Sequence, residues 1–281
     1  MAYKSLLTVA TSPEGVLGTV TAAAQIAQKL DAHLDCLALG VDRTQIGYSY
    51  VGSGAVVIAA AMDRAEAEAR EAEAALNAAI GAQGLPLRSS VESVVTQLGA
   101  LTDVVATRAR YADLVVLPLP YGSARGVEDE AVTEAALFEG MAPVLIVPPS
   151  GMKAVEPKRI IVAWNQSRES LVAARRAMPF LRRADMVQIV VIDPSAHGSE
   201  RSDPGGLLCQ LLVRHGVHAE VSVLAKTLPR VSEVLARQVL DVDADLLVMG
   251  AYGHSRFREA ILGGATRDML EHANIPVFLA H

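Results

Sequence analysis

Cysteine is almost absent: the 281 residues contain two, Cys36 and Cys209, far apart and in no metal-ligand spacing. They read as buried thiols in a reducing compartment. Aromatic residues are scarce, at 4 %, so no aromatic platform organises the chain. Positive charge is in deficit: the net charge is −6, and no basic stripe offers a nucleic-acid surface. No apolar run approaches membrane-spanning length, and the start, Met-Ala-Tyr-Lys-Ser, lacks an export signal. A soluble cytoplasmic protein with neither a nucleic-acid nor a membrane partner is the expectation. The Gly-x4-Gly-Lys-Ser/Thr phosphate loop is missing, which argues against a P-loop ATPase. A Gly-x-Gly-x-x-Gly turn is missing after the first strand of either half, which argues against a dinucleotide dehydrogenase. The histidines His33, His197, His215, His218, His272 and His281 form no metal-ligand spacing either, and no metal site is expected from protein ligands.

What remains is an apolar chain, 51 % hydrophobic and dominated by Ala, Val and Leu. Its length points to two domains, here divided at 1–150 and 151–281. Apolar runs at Ser5–Ala10, Leu34–Val41, Asp113–Pro118 and Ala142–Pro148 read as buried strands, with a weaker one at Leu87–Val95. Helical patterns lie between them at Thr19–Leu30, Val56–Ile80 and Gln97–Arg110; the charges of the second suit a solvated face. Residues 44–54 read as a loop, and 148–157, rich in proline, as a linker. The second half repeats this order. Its strands are predicted at Lys158–Trp164, Val187–Ile192, Ala219–Ala225, Leu246–Met249 and Ile275–Ala280. Its helices are predicted at Ser170–Leu181, Leu207–His215, Val231–Val239 and around Met269–Ala273.

The halves resemble an internal duplication. Tyr111-Ala-Asp-Leu-Val-Val-Leu echoes Val242-Asp-Ala-Asp-Leu-Leu-Val-Met, and Ala142-Pro-Val-Leu-Ile-Val echoes Ile275-Pro-Val-Phe-Leu-Ala. Strands alternating with helices imply parallel sheets. The expected class is α/β: two repeated doubly wound, Rossmann-like domains, each a five-stranded parallel sheet with helices on both faces.

One connection stands apart. The strand ending at Gly250 leads through Gly253, His254, Ser255 and Arg256 to Gly263, Gly264, Ala265 and Thr266, where a helical pattern begins. Glycines let backbone N–H groups approach a ligand, and a helix start favours an anion. The first half has Pro118, Tyr121 and Ala131 at roughly the matching positions. The same glycines also suit a turn and a helix start with no ligand at all.

Gly250-x2-Gly253-x9-Gly263, set between a buried strand and a closing Pro-Val strand, resembles the nucleotide motif of the universal stress protein family. The resemblance covers both halves, so the chain looks like a tandem member with a degenerate motif in residues 1–150. It implies an adenine nucleotide alpha hydrolase-like fold and a site for ATP or AMP, with magnesium as an accompanying ion. It also implies pairing of the two domains within one chain as a pseudo-dimer, or pairing of chains as a homodimer. Ribose and phosphates would lie against Met249 and Gly250 to Arg256, with the phosphates also meeting Gly264, Ala265 and Thr266. The adenine end would lie across Ala163, Asn165 and Val191.

Residue chemistry accompanies each assignment. Asn165 offers an amide donor and acceptor, Val191 an apolar wall, and Thr266 a hydroxyl. Trp164 suits either stacking on the base or packing at a strand end. His254 suits loop hydrogen bonding, and Arg256 a phosphate. Three positions depart from the family: Asn165 where it carries an acid, Ala163 where proline is common, and Gly264 where Ser or Thr follows the third glycine. The last removes a hydroxyl donor, a loss of roughly 0.5–1.5 kcal/mol. Three readings follow: a nucleotide-binding stress-response or regulatory protein with an unidentified downstream partner, a slow ATP hydrolase or other nucleotide-processing enzyme, and a dimeric scaffold that binds nothing. No catalytic residue is identified.

Overall fold

Consecutive apolar residues become strands buried on both faces. The computed structural model describes residues 2–44, 54–84, 86–122, 125–194, 202–251 and 264–281. In β1 (Ser5–Ala10), every residue after the first is buried. β4 (Leu114–Pro118) and β9 (Leu246–Gly250) are likewise buried up to their last residue. Fully burying one such Leu or Val contributes about 1.5–3 kcal/mol. The chain forms two units, Tyr3–Ala142 and Pro143–His281, the latter together with the residues before Tyr3.

The first unit runs β1, α1 (Val16–Leu30), β2 (His33–Asp42), α2 (Gly54–Gly81), β3 (Ser89–Gln97), α3 (Leu101–Ala109), β4 and α4 (Val127–Glu134). Its strands lie in the order β3-β2-β1-β4, all parallel. In α2, Ala65, Ala69, Ala72, Leu76 and Ala79 are buried, at helical spacing. Glu66, Arg70, Glu71 and Glu73 are not among the buried residues, so much of the charge of α2 faces solvent.

The second unit runs β5 (Val144–Val147), β6 (Arg159–Ala163), α5 (Arg168–Arg176), α6 (Met178–Leu181), β7 (Met186–Ile192), α7 (Gly206–Arg214), β8 (Ala219–Leu224), α8 (Val231–Asp241), β9, α9 (Ala265–His272) and β10 (Val277–Ala280). Its strand order is β5-β10-β9-β6-β7-β8. Strands β6 to β10 pair in parallel, whereas β5 runs antiparallel to β10 with Leu145 opposite Phe278. The α/β class with a mostly parallel sheet therefore holds. Strand β5 precedes the expected division at residue 150 yet packs with the second unit. Residues 148–158 form neither helix nor strand.

The helix expected over Ser170–Leu181 is two helices. Pro179 sits in the first turn of α6, where its missing N–H costs nothing, but it cannot continue α5. Both segments still bury their apolar side, and Phe180 meets Phe278 edge-on with ring centroids 6.2 Å apart.

The duplication is visible in hydrogen bonds as well as in element order. Asp113 accepts from the N–H groups of Lys4 and Ser5 at 2.6 and 3.1 Å. Asp245 accepts from those of Lys158 and Arg159 at 2.7 and 3.0 Å. The shared Ala-Asp-Leu thus ties the start of β4 to the start of β1 in one unit and the start of β9 to the start of β6 in the other. Among the described residues, no helix is long and apolar enough to cross a membrane.

Candidate functional site

In the second unit the strand order reverses between β6 and β9: β7 and β8 extend one way, β10 and β5 the other. Open parallel sheets bind ligands at the carboxyl ends of the strands beside such a reversal. Val162 is in register with Val248, so Ala163 and Met249 come next on adjoining strands. Ala163 is half-buried and Met249 is buried. Beyond Ala163 the chain turns. Gln166 adopts a left-handed backbone (φ 63°), and the Asn165 side-chain carbonyl accepts from Ser167 N–H at 3.1 Å. Ser167 then caps α5, its hydroxyl accepting from Ser170 N–H at 3.1 Å. Asn165 is exposed, and its amide oxygen is committed to the turn while its NH2 group is not.

Gly250 has a packing reason to be glycine. A Cβ there would lie 2.5 Å from the Ser170 backbone nitrogen and 2.7 Å from the Glu169 carbonyl carbon. The start of α5 therefore presses directly on the end of β9. Ala251 next donates its N–H to Ala280 and accepts from the His281 ring, both at 2.9 Å.

Four of the predicted residues are buried: Trp164, Val191, Met249 and Thr266. Trp164 is 8 % exposed, with its backbone N–H on the Val190 carbonyl. Val191 is buried on β7 and lies against Gly205, which starts α7. Gly253, His254, Ser255, Arg256 and Gly263 lie outside the described residues.

Helix α9 begins at Gly264, an extended residue without a side-chain cap. Only residues 273–276 separate α9 from β10, which is parallel to β9, so the helix starts on the carboxyl side of the sheet. Thr266 is buried. Asp268 is the acid of the first turn, and it is engaged sideways: Arg230 Nη1 lies 3.3 Å from one oxygen and Ser232 Oγ 3.4 Å from the other. The first residues of α9, Ala265 and Thr266, carry no charge, and an anion is favoured there.

The first unit has the same reversal, between β1 and β4, with a different filling. Helix α4 starts at Gly126 with three acids in its first turn, Glu128, Asp129 and Glu130. Glu128 is buried and accepts from Arg43 Nε at 2.5 Å, while Arg43 Nη1 also meets Glu68 at 2.8 Å. Burial works against the Arg43 charge, but the two carboxylates outweigh it and hold its pKa above the ordinary arginine value. Asp129 accepts from Gly126 N–H at 2.9 Å and from Thr11 Oγ1 at 3.1 Å. The Arg125 guanidinium lies 3.8 Å from the same carboxylate. Glu130 accepts from the Tyr121 hydroxyl at 3.2 Å. The space left among Thr8, Thr11, Glu14, Pro118, Arg125 and Asp129 is about 10 Å³, room for one water at most.

Sequence reading missed Arg43, Arg125, Glu128 and Asp129. The available signal was the acidic triplet Glu128-Asp129-Glu130, two residues beyond Gly126, where the second half has Thr266-Arg267-Asp268 two residues beyond Gly264. Among the described residues, no group of three His, Cys, Asp or Glu side chains is placed to hold a metal ion.

The chain is similar to known proteins in sequence and in fold. Residues 156–281 match the sequence model of the universal stress protein family. A universal stress protein from Synechocystis sp. is 27 % identical over 124 residues, which are 42 % of this chain and 41 % of that protein's length. The crystal structure of a universal stress protein from Archaeoglobus fulgidus superposes with a TM-score of 0.69 at 15 % identity, covering 98 % of this chain and 95 % of that one. A protein of unknown function from Pseudomonas aeruginosa PAO1 superposes with a TM-score of 0.59 at 14 % identity, covering 99 % and 92 %. At these identities the structures speak to fold alone. The chain thus has the fold of a solved universal stress protein along nearly its whole length, and residues 156–281 match that family's sequence model.

Proposed function

We propose that this chain is a tandem universal stress protein that holds one adenine nucleotide, ATP or AMP, in its second unit and acts by binding rather than by turnover. The observation that carries the reading is the start of α9: a glycine followed by Ala265 and Thr266, on the carboxyl side of a parallel sheet. Its nearby acid, Asp268, is already engaged by Arg230 and Ser232. Ala163, Asn165 and Gly250 meet at the strand reversal on the same side, which supports a base and ribose there. Both cysteines are free thiols, which supports a reducing, cytoplasmic setting.

Two measurements test the reading. Mass spectrometry of ligand released from freshly purified protein should find an adenine nucleotide at one per chain. Calorimetry on nucleotide-free protein should find one site per chain for ATP or AMP, lost in Gly263→Asp without loss of folding. Two equivalent sites per chain, or no heat and no nucleotide-dependent rise in Tm, would overturn it. At a hundredfold excess over Kd, one bound nucleotide stabilises its unit by about 2.7 kcal/mol.

A further inference from the structure

Bulk at Pro118 and Tyr121 is the simplest reason for the first unit to refuse an anion, but the side chains around α4 supply a more specific one. Two hydrogen-bond donors and one ion-pairing cation converge on the Asp129 carboxylate. They are the Gly126 backbone N–H at 2.9 Å, the Thr11 hydroxyl at 3.1 Å and the Arg125 guanidinium at 3.8 Å. They come from α4, from the end of β1 and from the segment preceding α4. Arg125 and Asp129 are each 13 % exposed at the side chain. Arg125 is further fixed by the Glu14 carbonyl at 3.4 Å and by close approach to Gly15, where a Cβ would come 2.6 Å from Nη2. A largely covered guanidinium, a hydroxyl and a backbone N–H at the carboxyl end of a parallel sheet form a donor set suited to an oxyanion. In this unit the oxyanion is the protein's own.

We propose that Asp129 determines the specificity of the first unit: its carboxylate occupies an oxyanion-binding donor set, and removing it uncovers a site for a small tetrahedral oxyanion. Tyr121 then has a different part. Its hydroxyl binds Glu130, which lies outside the donor set. Pro118 lines the same space without contributing a donor. The proposal deepens the reading of one competent unit per chain, yet it concerns side chains of the first unit alone.

The test is sulfate titration of the full ¹⁵N-labelled chain at constant ionic strength, with chloride as the exchanging anion. The amide resonances of Thr11 and Gly126 are the readout. Asp129→Ser removes charge and volume while keeping an oxygen able to accept from Gly126. It should give saturable shifts at both amides with a midpoint at least tenfold lower than any wild-type response, and adding Arg125→Gln should abolish them. Glu130→Gln removes the same charge from the same turn and should behave like wild type, as should Pro118→Gly. Saturable binding in wild type, no saturable shift in Asp129→Ser, or equal binding in Glu130→Gln would each overturn the proposal. If Asp129→Ser is unfolded in chloride, sulfate should restore its folding and should fail to restore Asp129→Ser/Arg125→Gln; no difference between the two also overturns it. Because the resonances belong to the first unit, the outcome is independent of whether the second unit takes a nucleotide.

Discussion

The two units share one element order, from β1 to α4 and from β6 to α9, with α5 and α6 standing where the first has α1, and they differ in chemistry at the start of the last helix. Helix α4 opens with Gly126 and three acids, each engaged: Glu128 by Arg43, Asp129 by Thr11 and Gly126, Glu130 by Tyr121. Helix α9 opens with Gly264, Ala265 and Thr266, and its acid is drawn aside to α8. A carboxylate at a helix start stabilises the helix through the same donors that an anionic ligand would use. The first unit therefore gains local stability where the second keeps the first two residues of its helix uncharged. Duplicated architecture does not imply duplicated function.

The comparison can be broken or sharpened by substitution. The largest effect is expected at the end of β9. Gly250→Val would drive a side chain into the Ser170 backbone and destabilise the second unit by about 3 kcal/mol. Pro118→Gly at the corresponding strand end should cost about 1 kcal/mol, mainly through a freer unfolded chain. Urea unfolding midpoints measure both, and a harmless Gly250→Val would remove the packing explanation for that glycine.

Next in size is Arg43→Met, which leaves the buried Glu128 carboxylate without its guanidinium. The expected loss is about 2 kcal/mol, kept below the full buried-pair value because Arg43 is half exposed. Glu128→Gln should cost less, since the removed charge was the buried one. Equal losses would mean that the pair acts only through packing.

A smaller difference is expected at the first helix of each unit. Ser167→Ala removes a hydroxyl cap from α5 and should cost about 1 kcal/mol. Gly15, which caps α1 with φ 78° and no side chain, should lose about as much on Gly15→Ala, from backbone strain and contact with Arg125. Thermal unfolding of the two variants checks this.

The least effect on stability, but a clear chemical contrast, concerns the thiols. Burial, with a contribution from Asp35, pushes Cys36 up to about 12. Burial also raises Cys209, which is only partly covered and meets the Ala219 carbonyl at 3.5 Å. Iodoacetamide at pH 8 should therefore label Cys209 well before Cys36, as read by peptide mass spectrometry. The sign follows from ionisation: the neutral Cys36 thiol favours the folded state fully below pH 9, and that contribution is lost as pH rises from 9 towards 12. Cys36→Ala should flatten the alkaline limb of the stability profile, and an unchanged limb would count against a buried neutral thiol.

Much of the fold was legible because doubly covered strands are written as continuous apolar runs. Leu246–Met249 and Leu114–Leu117 needed no periodicity to be found. The break between α5 and α6 was not, because Leu171, Ala174, Met178 and Leu181 keep helical spacing straight through it. Pro179 was the warning. At the candidate site, Ala163, Asn165, Met249 and Gly250 do come together at the strand reversal. Trp164 and Val191 are buried, which spacing along one strand does not reveal. Cys209, expected to be a buried thiol, is only partly covered.

By itself the sequence determined the alternation of strands and helices, the duplication, and the glycine-rich connection that resembles a nucleotide motif. These are local properties of neighbouring residues. Tertiary structure decided that β5 joins the second unit, through antiparallel pairing with β10 more than a hundred residues away. It also decided that Gly250 answers to α5, and that Thr11, Arg125 and Asp129 converge on one point. Each depends on contacts between segments far apart in the chain, where pairing and close approach, rather than residue type, set the outcome.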